Sequence, residues 1–210
     1  MRKWISGLIT FLFLSGVVAY TSIFRISQNF SEVDPGRFYR SAQLTPRELE
    51  ELSEKYGIKT VISLRGIPQS VFGLEPEQET LERLGIGFHK FDLSTDHFPS
   101  KSDLIQILAL LRNAPKPILI HCRSGADRTG MVTALYQIEQ MGISKEVAKK
   151  QLSFDFWHVR AFHPAMTKFI DEYRGEQWAL LNYDECRYPK FMERPESCKS
   201  RKNDSLNLAK

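Results

Sequence analysis

One short run concentrates the chemistry of this chain: His121-Cys122-Arg123-Ser124-Gly125-Ala126-Asp127-Arg128-Thr129-Gly130. A cysteine is followed six positions later by an arginine. The apolar Pro117-Ile118-Leu119-Ile120 precedes the run, and the helix-forming TGMVTALYQIEQM begins at Thr129. That pattern predicts a buried strand, a loop and a helix. The loop then lies at a helix N-terminus, where free backbone N–H groups converge and the helix dipole adds to their attraction for a dianion. The same field favours thiolate over thiol at Cys122. Gly125 permits the turn that aims the amides inward, and the planar fork of Arg128 fits two phosphate oxygens at once. A cysteine facing a bound phosphate is equipped for phosphoryl transfer through a covalent thiophosphate.

The leaving oxygen of such a reaction needs a proton, so a carboxylic acid must approach from a second loop. Three aspartates compete. Asp96, in Asp96-His97-Phe98-Pro99, sits after a predicted strand and before a predicted helix; Asp127 lies inside the loop itself; Asp92 is near the strand end. They are ranked in that order. His89, His97, His158 and His163 show no metal-ligand spacing, and Cys122 has no partner for a zinc site.

Cys-x5-Arg with His before it and Thr-Gly after it resembles the signature of the cysteine-dependent protein-tyrosine and dual-specificity phosphatases. Tyr39-Arg40-Ser41-Ala42-Gln43 and Ile62-Ser63-Leu64-Arg65 are similar to stretches of bacterial members of the compact dual-specificity branch. The resemblance implies Cys122 as nucleophile, Arg128 as phosphate clamp, and loop amides from Arg123, Ser124, Gly125, Ala126 and Asp127. It gives His121 the task of orienting the loop and favouring the thiolate. Thr129 is to hydrogen-bond the cysteine and assist breakdown of the intermediate. Asp96 sits in a segment like the Asp-His-x-Pro loop of the phosphatase-and-tensin type, whereas Asp127 matches the Asp-Arg-Thr of some bacterial tyrosine phosphatases and of myotubularin-like lipid phosphatases. Ala126 stands where phosphoinositide enzymes often place a lysine, which disfavours inositol lipids. The implied enzyme needs no metal and no cofactor. Its substrate is a phosphotyrosine or phosphoserine protein, a small phosphomonoester or a phospholipid. The competing readings are a catalytically silent phosphate-binding module at the membrane and a rhodanese-like sulfurtransferase.

The elements that must position these residues are spread over the remaining chain. It has 210 residues, 42% of them hydrophobic and 26% charged, the balance of a globular protein. A net charge of +4, without a Lys/Arg run, argues against a nucleic-acid partner. Thr45-Pro46-Arg47-Glu48 is a helix start with a capping box, and Gly57 ends that helix. Ile58 to Leu64 and Gly87 to Leu93 read as strands, and Glu75 to Leu84 as a helix. Ser100 opens a further helix with Leu104, Ile107, Leu108 and Leu111 on one face. Ser144 caps another, and Pro164 to Glu176 supplies one more. Phe154, Phe156 and Trp157 are expected to fill the core behind the loop.

Strands alternating with helices predict an α/β layered domain, and the resemblance makes it phosphatase-like, with a central mostly parallel sheet flanked by helices. The expected division is 1–25 as signal-anchor or signal peptide, 26–36 as linker, 37–180 as catalytic domain and 181–210 as polar tail. Arg2 and Lys3 precede an uncharged run from Trp4 to Phe24, which as a helix would reach about 31 Å, one bilayer core. Its basic head favours sending the rest of the chain across a membrane, so the domain is exported, either anchored by an N-terminal hydrophobic helix or released by cleavage. In an oxidising compartment Cys186 and Cys198, 12 positions apart, are expected to form a disulfide, leaving Cys122 free.

Overall fold

The computed structural model describes residues 10–12, 14–16, 28–66, 75–192 and 198. The expected N-terminal hydrophobic helix over Trp4 to Phe24 falls largely outside the described residues, as does 201–210. Among the described residues no helix is long and apolar enough to cross a membrane.

Five short strands form one mixed sheet: β1 (Ser31–Asp34), β2 (Phe38–Ser41), β3 (Thr60–Ser63), β4 (Gly87–Lys90) and β5 (Ile118–His121), in the order β1-β2-β5-β3-β4. Only the β1–β2 pair is antiparallel. The segment read as a linker therefore contains a strand, joined to β2 through the Asp34-Pro35-Gly36 turn. β5 occupies the middle of the sheet, and all four of its residues are buried. Successive strand residues point to opposite faces. Ile118 and Ile120 accordingly enter one core cluster and Leu119 the other.

The helices divide between those two faces. α1 (Pro46–Tyr56) and α2 (Glu75–Arg83) cover the face of Tyr39, Val61 and Leu119. The other face carries α3 (Lys101–Asn113), α4 (Asp127–Met141), α5 (Lys145–Ala148), α6 (Pro164–Glu172) and α7 (Glu176–Leu181). α1 begins as its sequence requires: Glu48 N–H donates to Thr45 Oγ1 at 3.3 Å, and Thr45 N–H donates to Glu48 Oε2 at 2.7 Å. Leu104, Ile107, Leu108 and Leu111 on α3 are all buried. The single helix expected from Pro164 to Glu176 is broken, because Tyr173 leaves helical geometry with ψ 134° and α7 starts after Gly175.

The packed core continues beyond residue 180. Tyr183 is buried in the larger cluster, and Tyr188 and Phe191 pack against it. Cys186 and Cys198 are bridged, with Cα atoms 5.8 Å apart, and Cys122 is the free cysteine of the described residues.

Candidate active site

β2, β3 and β5 run parallel and in register, so Ser41, Ser63 and His121 end at one edge of the sheet. The loops that leave this edge meet there, at the carboxyl ends of parallel strands where α/β sheets bind ligands. Leu64 N–H donates to the His121 carbonyl at 2.9 Å, and Gln43 N–H to the Arg123 carbonyl at 3.2 Å. Cys122 follows β5 directly and is buried. Residues 122–126 form the loop, and α4 begins at Asp127. Gly125 has φ +70°, a left-handed conformation that L side chains rarely adopt. A Cβ there would also lie 2.6 Å from the Ser41 carbonyl oxygen, so both backbone conformation and space demand glycine. Gly130 serves closeness instead: a Cβ on it would come within 2.5 Å of the Gln151 carbonyl.

Arg128 is anchored on one side only. Its Nη1 donates to the carbonyls of Leu64 at 3.2 Å and Leu93 at 3.1 Å, while its Nε is buried without a hydrogen-bond partner among the described residues. Two backbone oxygens thus fix the guanidinium and leave the Nε edge, half of a bidentate fork, for a ligand. Arg123, by contrast, is exposed, and Ser124 is half-buried. Ala126 is buried.

His121 is buried, with Nε2 2.8 Å from Glu77 Oε1 and Nδ1 3.3 Å from the Cys122 carbonyl oxygen. Glu77, on α2, is itself buried, so the histidine beside the nucleophile has a carboxylate neighbour that no local motif announced. Thr129 is fully buried, and its hydroxyl has no hydrogen-bond partner among the described residues. The expected bond from Thr129 to the Cys122 sulfur is therefore not made in this structure.

The three aspartates differ sharply. Asp127 Oδ1 is 2.7 Å from His158 Nδ1, and His158 Nε2 is 3.0 Å from Thr167 Oγ1 on α6. This carboxylate is tied into the protein. Asp92 is exposed, but its carboxylate packs over Gly66, where a Cβ would be 2.0 Å from Asp92 Oδ1. Asp96 lies on the loop between β4 and α3 with a side chain 61% exposed, and its Oδ1 meets His163 Nδ1 at 2.9 Å.

Residues 16–163 match the family described as PTP-NADK, DSP-PTPase phosphatase fused to NAD+ kinase. The chain belongs to this phosphatase family. Comparison with curated proteins found no match. Among solved structures the phosphatase is similar to P. aeruginosa TpbA in complex with phosphotyrosine. That likeness has a TM-score of 0.57 and 21% identity over 70% of this chain and 85% of TpbA. It is similar too to the core catalytic domain of the S. cerevisiae PP-IP phosphatase Siw14 in complex with citrate, with a TM-score of 0.54 and 27% identity over 70% of this chain and 85% of that one. Tk-PTP gives a TM-score of 0.56 at 21% identity, covering 68% and 92%. The α/β phosphatase fold is common to all of them, and this chain is a cysteine-dependent phosphatase of the dual-specificity and tyrosine class.

Two residues that brace the phosphatase loop are given no role by the sequence motifs. Arg40, fully buried on β2, donates from Nη2 to the Gly125 carbonyl and from Nη1 to Gln151 O at 3.1 Å and Gln151 Oε1 at 2.5 Å. Burial pushes its guanidinium down to about 9, while the nearby Cys122 pulls the other way, so Arg40 keeps its proton at neutral pH. The signal available in the sequence was a charge directly after two aromatic residues in a short strand, Phe38-Tyr39-Arg40-Ser41. Asn29, from the segment read as a linker, donates through Nδ2 to the carbonyls of Ser124 at 3.0 Å and Phe156 at 3.1 Å. The aromatic trio expected to fill the core does not. Phe154 is 60% exposed, Trp157 stacks beside it, and Phe156 lies under the Arg40 guanidinium at 3.8 Å. Phe156 and Trp157 are half-buried, and Arg40 and Asn29 hold Phe156 beside the loop rather than in the core beneath the sheet.

Proposed function

We propose that the phosphatase hydrolyses phosphomonoesters in two steps at Cys122. The thiolate attacks phosphorus in line, a sulfur–phosphorus bond forms, and the bond from phosphorus to the leaving oxygen breaks. Asp96 gives that oxygen its proton. Water then attacks the thiophosphate, Asp96 takes a proton from it, and inorganic phosphate leaves as the thiolate is restored. Amides of residues 123–127 and the fork of Arg128 hold the equatorial oxygens through both transition states. The observation that carries this reading is the half-anchored Arg128, whose buried Nε is unpartnered among the described residues, in the loop that starts at Cys122. Asp96 is favoured as acid because it stands on a separate loop and its histidine partner, His163, meets it at the surface, whereas Asp127 is bound to the buried His158 and Asp92 packs on Gly66. Trapping of a phosphorylated Cys122 by rapid acid quench during turnover tests the pathway. Turnover in a Cys122→Ser variant would overturn it.

The substrate class we infer is an aryl phosphate of the phosphotyrosine type, supported by the family and by the phosphotyrosine bound to TpbA. A panel of phosphotyrosine peptides, phosphoserine peptides and inositol pyrophosphates tests it, the last included because Siw14 is described as a PP-IP phosphatase. We further propose that the domain works outside the cytoplasm, anchored or released by residues 1–25. The basic head with its uncharged run and the Cys186–Cys198 disulfide support this. Protease accessibility in intact cells tests it, and a cytoplasmic protein with both cysteines reduced would overturn it.

A further inference from the structure

The loop carrying Asp96 runs from residue 91 to 100 and is exposed at Asp96, yet two residues later it is anchored in an aromatic box. The Phe98 side chain is buried. Its ring stacks on Phe191 at 5.0 Å and 4° and meets Tyr188 at 4.9 Å and Phe169 edge-on at 5.2 Å. Two of those three rings come from beyond residue 183. The backbone is tied at the same place, where Phe98 N–H donates to the Phe191 carbonyl at 2.8 Å. Tyr183 donates its buried hydroxyl to the Pro99 carbonyl at 2.6 Å, and Lys101 N–H donates to Glu185 Oε2 at 3.2 Å. Residues 98, 99 and 101 are thus all attached to the segment 183–191. The disulfide at Cys186 lies in the middle of that segment.

We propose that the segment 183–191, clasped by the Cys186–Cys198 bridge, is the positioning element of the acid loop, with Tyr183 and Phe191 as positioning residues for Asp96. The inference rests on the assignment of Asp96 as general acid. An acid on a loop reaches a leaving oxygen only if the loop's base is fixed, and misplacement by about 1 Å costs on the order of 10²-fold. The sheet cannot fix this base alone, since β4 ends at Lys90 and α3 begins at Lys101. Burial pushes the Tyr183 phenol well above the ordinary tyrosine value, so the bond to Pro99 outlasts the pH at which an exposed tyrosine ionises.

A leaving-group series tests the proposal. Tyr183→Phe, Phe191→Ala and the paired Cys186→Ser, Cys198→Ser variant of the full chain are assayed on phenyl phosphate and on dinitrophenyl phosphate, with Asp96→Asn alongside. Tyr183→Phe removes one hydroxyl and keeps the ring, so it guards against a variant that merely unfolds. Expected is a fall in kcat/KM, which reports formation of the thiophosphate and not its hydrolysis, of roughly tenfold on phenyl phosphate and less than about twofold on dinitrophenyl phosphate. An equal fall on both substrates, or no fall on either, overturns the proposal. If Asp96→Asn shows the leaving-group dependence and the segment's variants do not, the acid assignment stands and the positioning role fails. If Asp96→Asn shows none, the acid assignment has failed first.

Discussion

The Asp127 carboxylate is bound to the His158 imidazole, Oδ1 to Nδ1 at 2.7 Å, where the phosphate-binding loop turns into α4. The other ring nitrogen of His158 is occupied by Thr167, so the three side chains form a chain from loop to α6. A carboxylate held in this way stiffens the loop and is committed to a partner. Asp96, on its own loop, also meets a histidine, His163 at 2.9 Å, but that pair lies at the surface, where solvent competes for both partners. Asp96→Asn should lower kcat/KM about 10²-fold or more on poor leaving groups and far less on good ones. Asp127→Asn should lower turnover equally on both and reduce stability by about 1–3 kcal/mol, through the loss of a buried hydrogen bond. Steady-state kinetics on the two substrates decides between them, and the reverse pattern would exchange their roles.

Cys122→Ser should abolish turnover while the protein stays folded, because the volume barely changes. Arg128→Lys should lose about 10²-fold or more in kcat: an ammonium cannot both keep the carbonyls of Leu64 and Leu93 and present a second donor edge. Initial rates with circular dichroism as a fold control check both, with excess chelator expected to have no effect on the parent enzyme.

Gly125→Ala should inactivate. The new methyl would meet the Ser41 carbonyl at 2.6 Å and Ala42 N at 2.7 Å, and the φ of +70° adds a penalty of about 1 kcal/mol or more. The loop must shift to accommodate it, which moves the amides off the phosphate. A loss of at least tenfold in kcat/KM is expected, with a lowered urea midpoint. Full activity would mean that the loop tolerates a displacement the site chemistry should not allow.

Alkaline pH should destabilise the fold between about 10 and 12. Burial, helped by the hydrogen bond to Asp34, pushes the Tyr136 phenol up to about 12. Tyr173 and Tyr183 are pushed further, by burial first and then by Glu139 and Glu185 respectively. The folded protein therefore keeps protons that the unfolded chain releases near 10, and that stability is lost as pH rises through the folded values. Arg40 works in the opposite sense, since its folded value of about 9 lies below the unfolded one. Three phenols against one guanidinium leave a net loss. Absorbance titration at 295 nm should show late-ionising tyrosines, and Tyr136→Phe should reduce their number by one.

The Cys186–Cys198 bridge closes a 12-residue separation. Its removal should cost roughly 2–3 kcal/mol by the chain-entropy estimate, read as a lower Tm in the doubly serine-substituted protein. Mass spectrometry without reductant should find Cys186 and Cys198 linked and Cys122 alkylable. A Cys122 mixed disulfide with either one would contradict the separation of nucleophile and clasp.

What the sequence determined by itself is local. The strand, the Cys-x5-Arg loop and the helix after it are contiguous, so their order and spacing already dictated a convergent set of amides beside a cysteine. The capping box at Thr45 and the apolar face of α3 were legible for the same reason: each depends on residues within a few helical turns. Tertiary structure decided everything that required distant residues to meet. Which aspartate is committed turns on Asp127 and His158, 31 positions apart. The loop's braces come from Arg40, 85 positions before Gly125, and Asn29, 95 before Ser124. The acid loop is fixed by a tyrosine 84 positions downstream of Pro99. Phe154, Phe156 and Trp157 look like core residues by composition, and Asn29 looks like linker. Phe156 and Asn29 were placed by hydrogen bonds to backbone carbonyls and by a buried guanidinium. Those partners become neighbours only after the sheet has brought β2 beside β5.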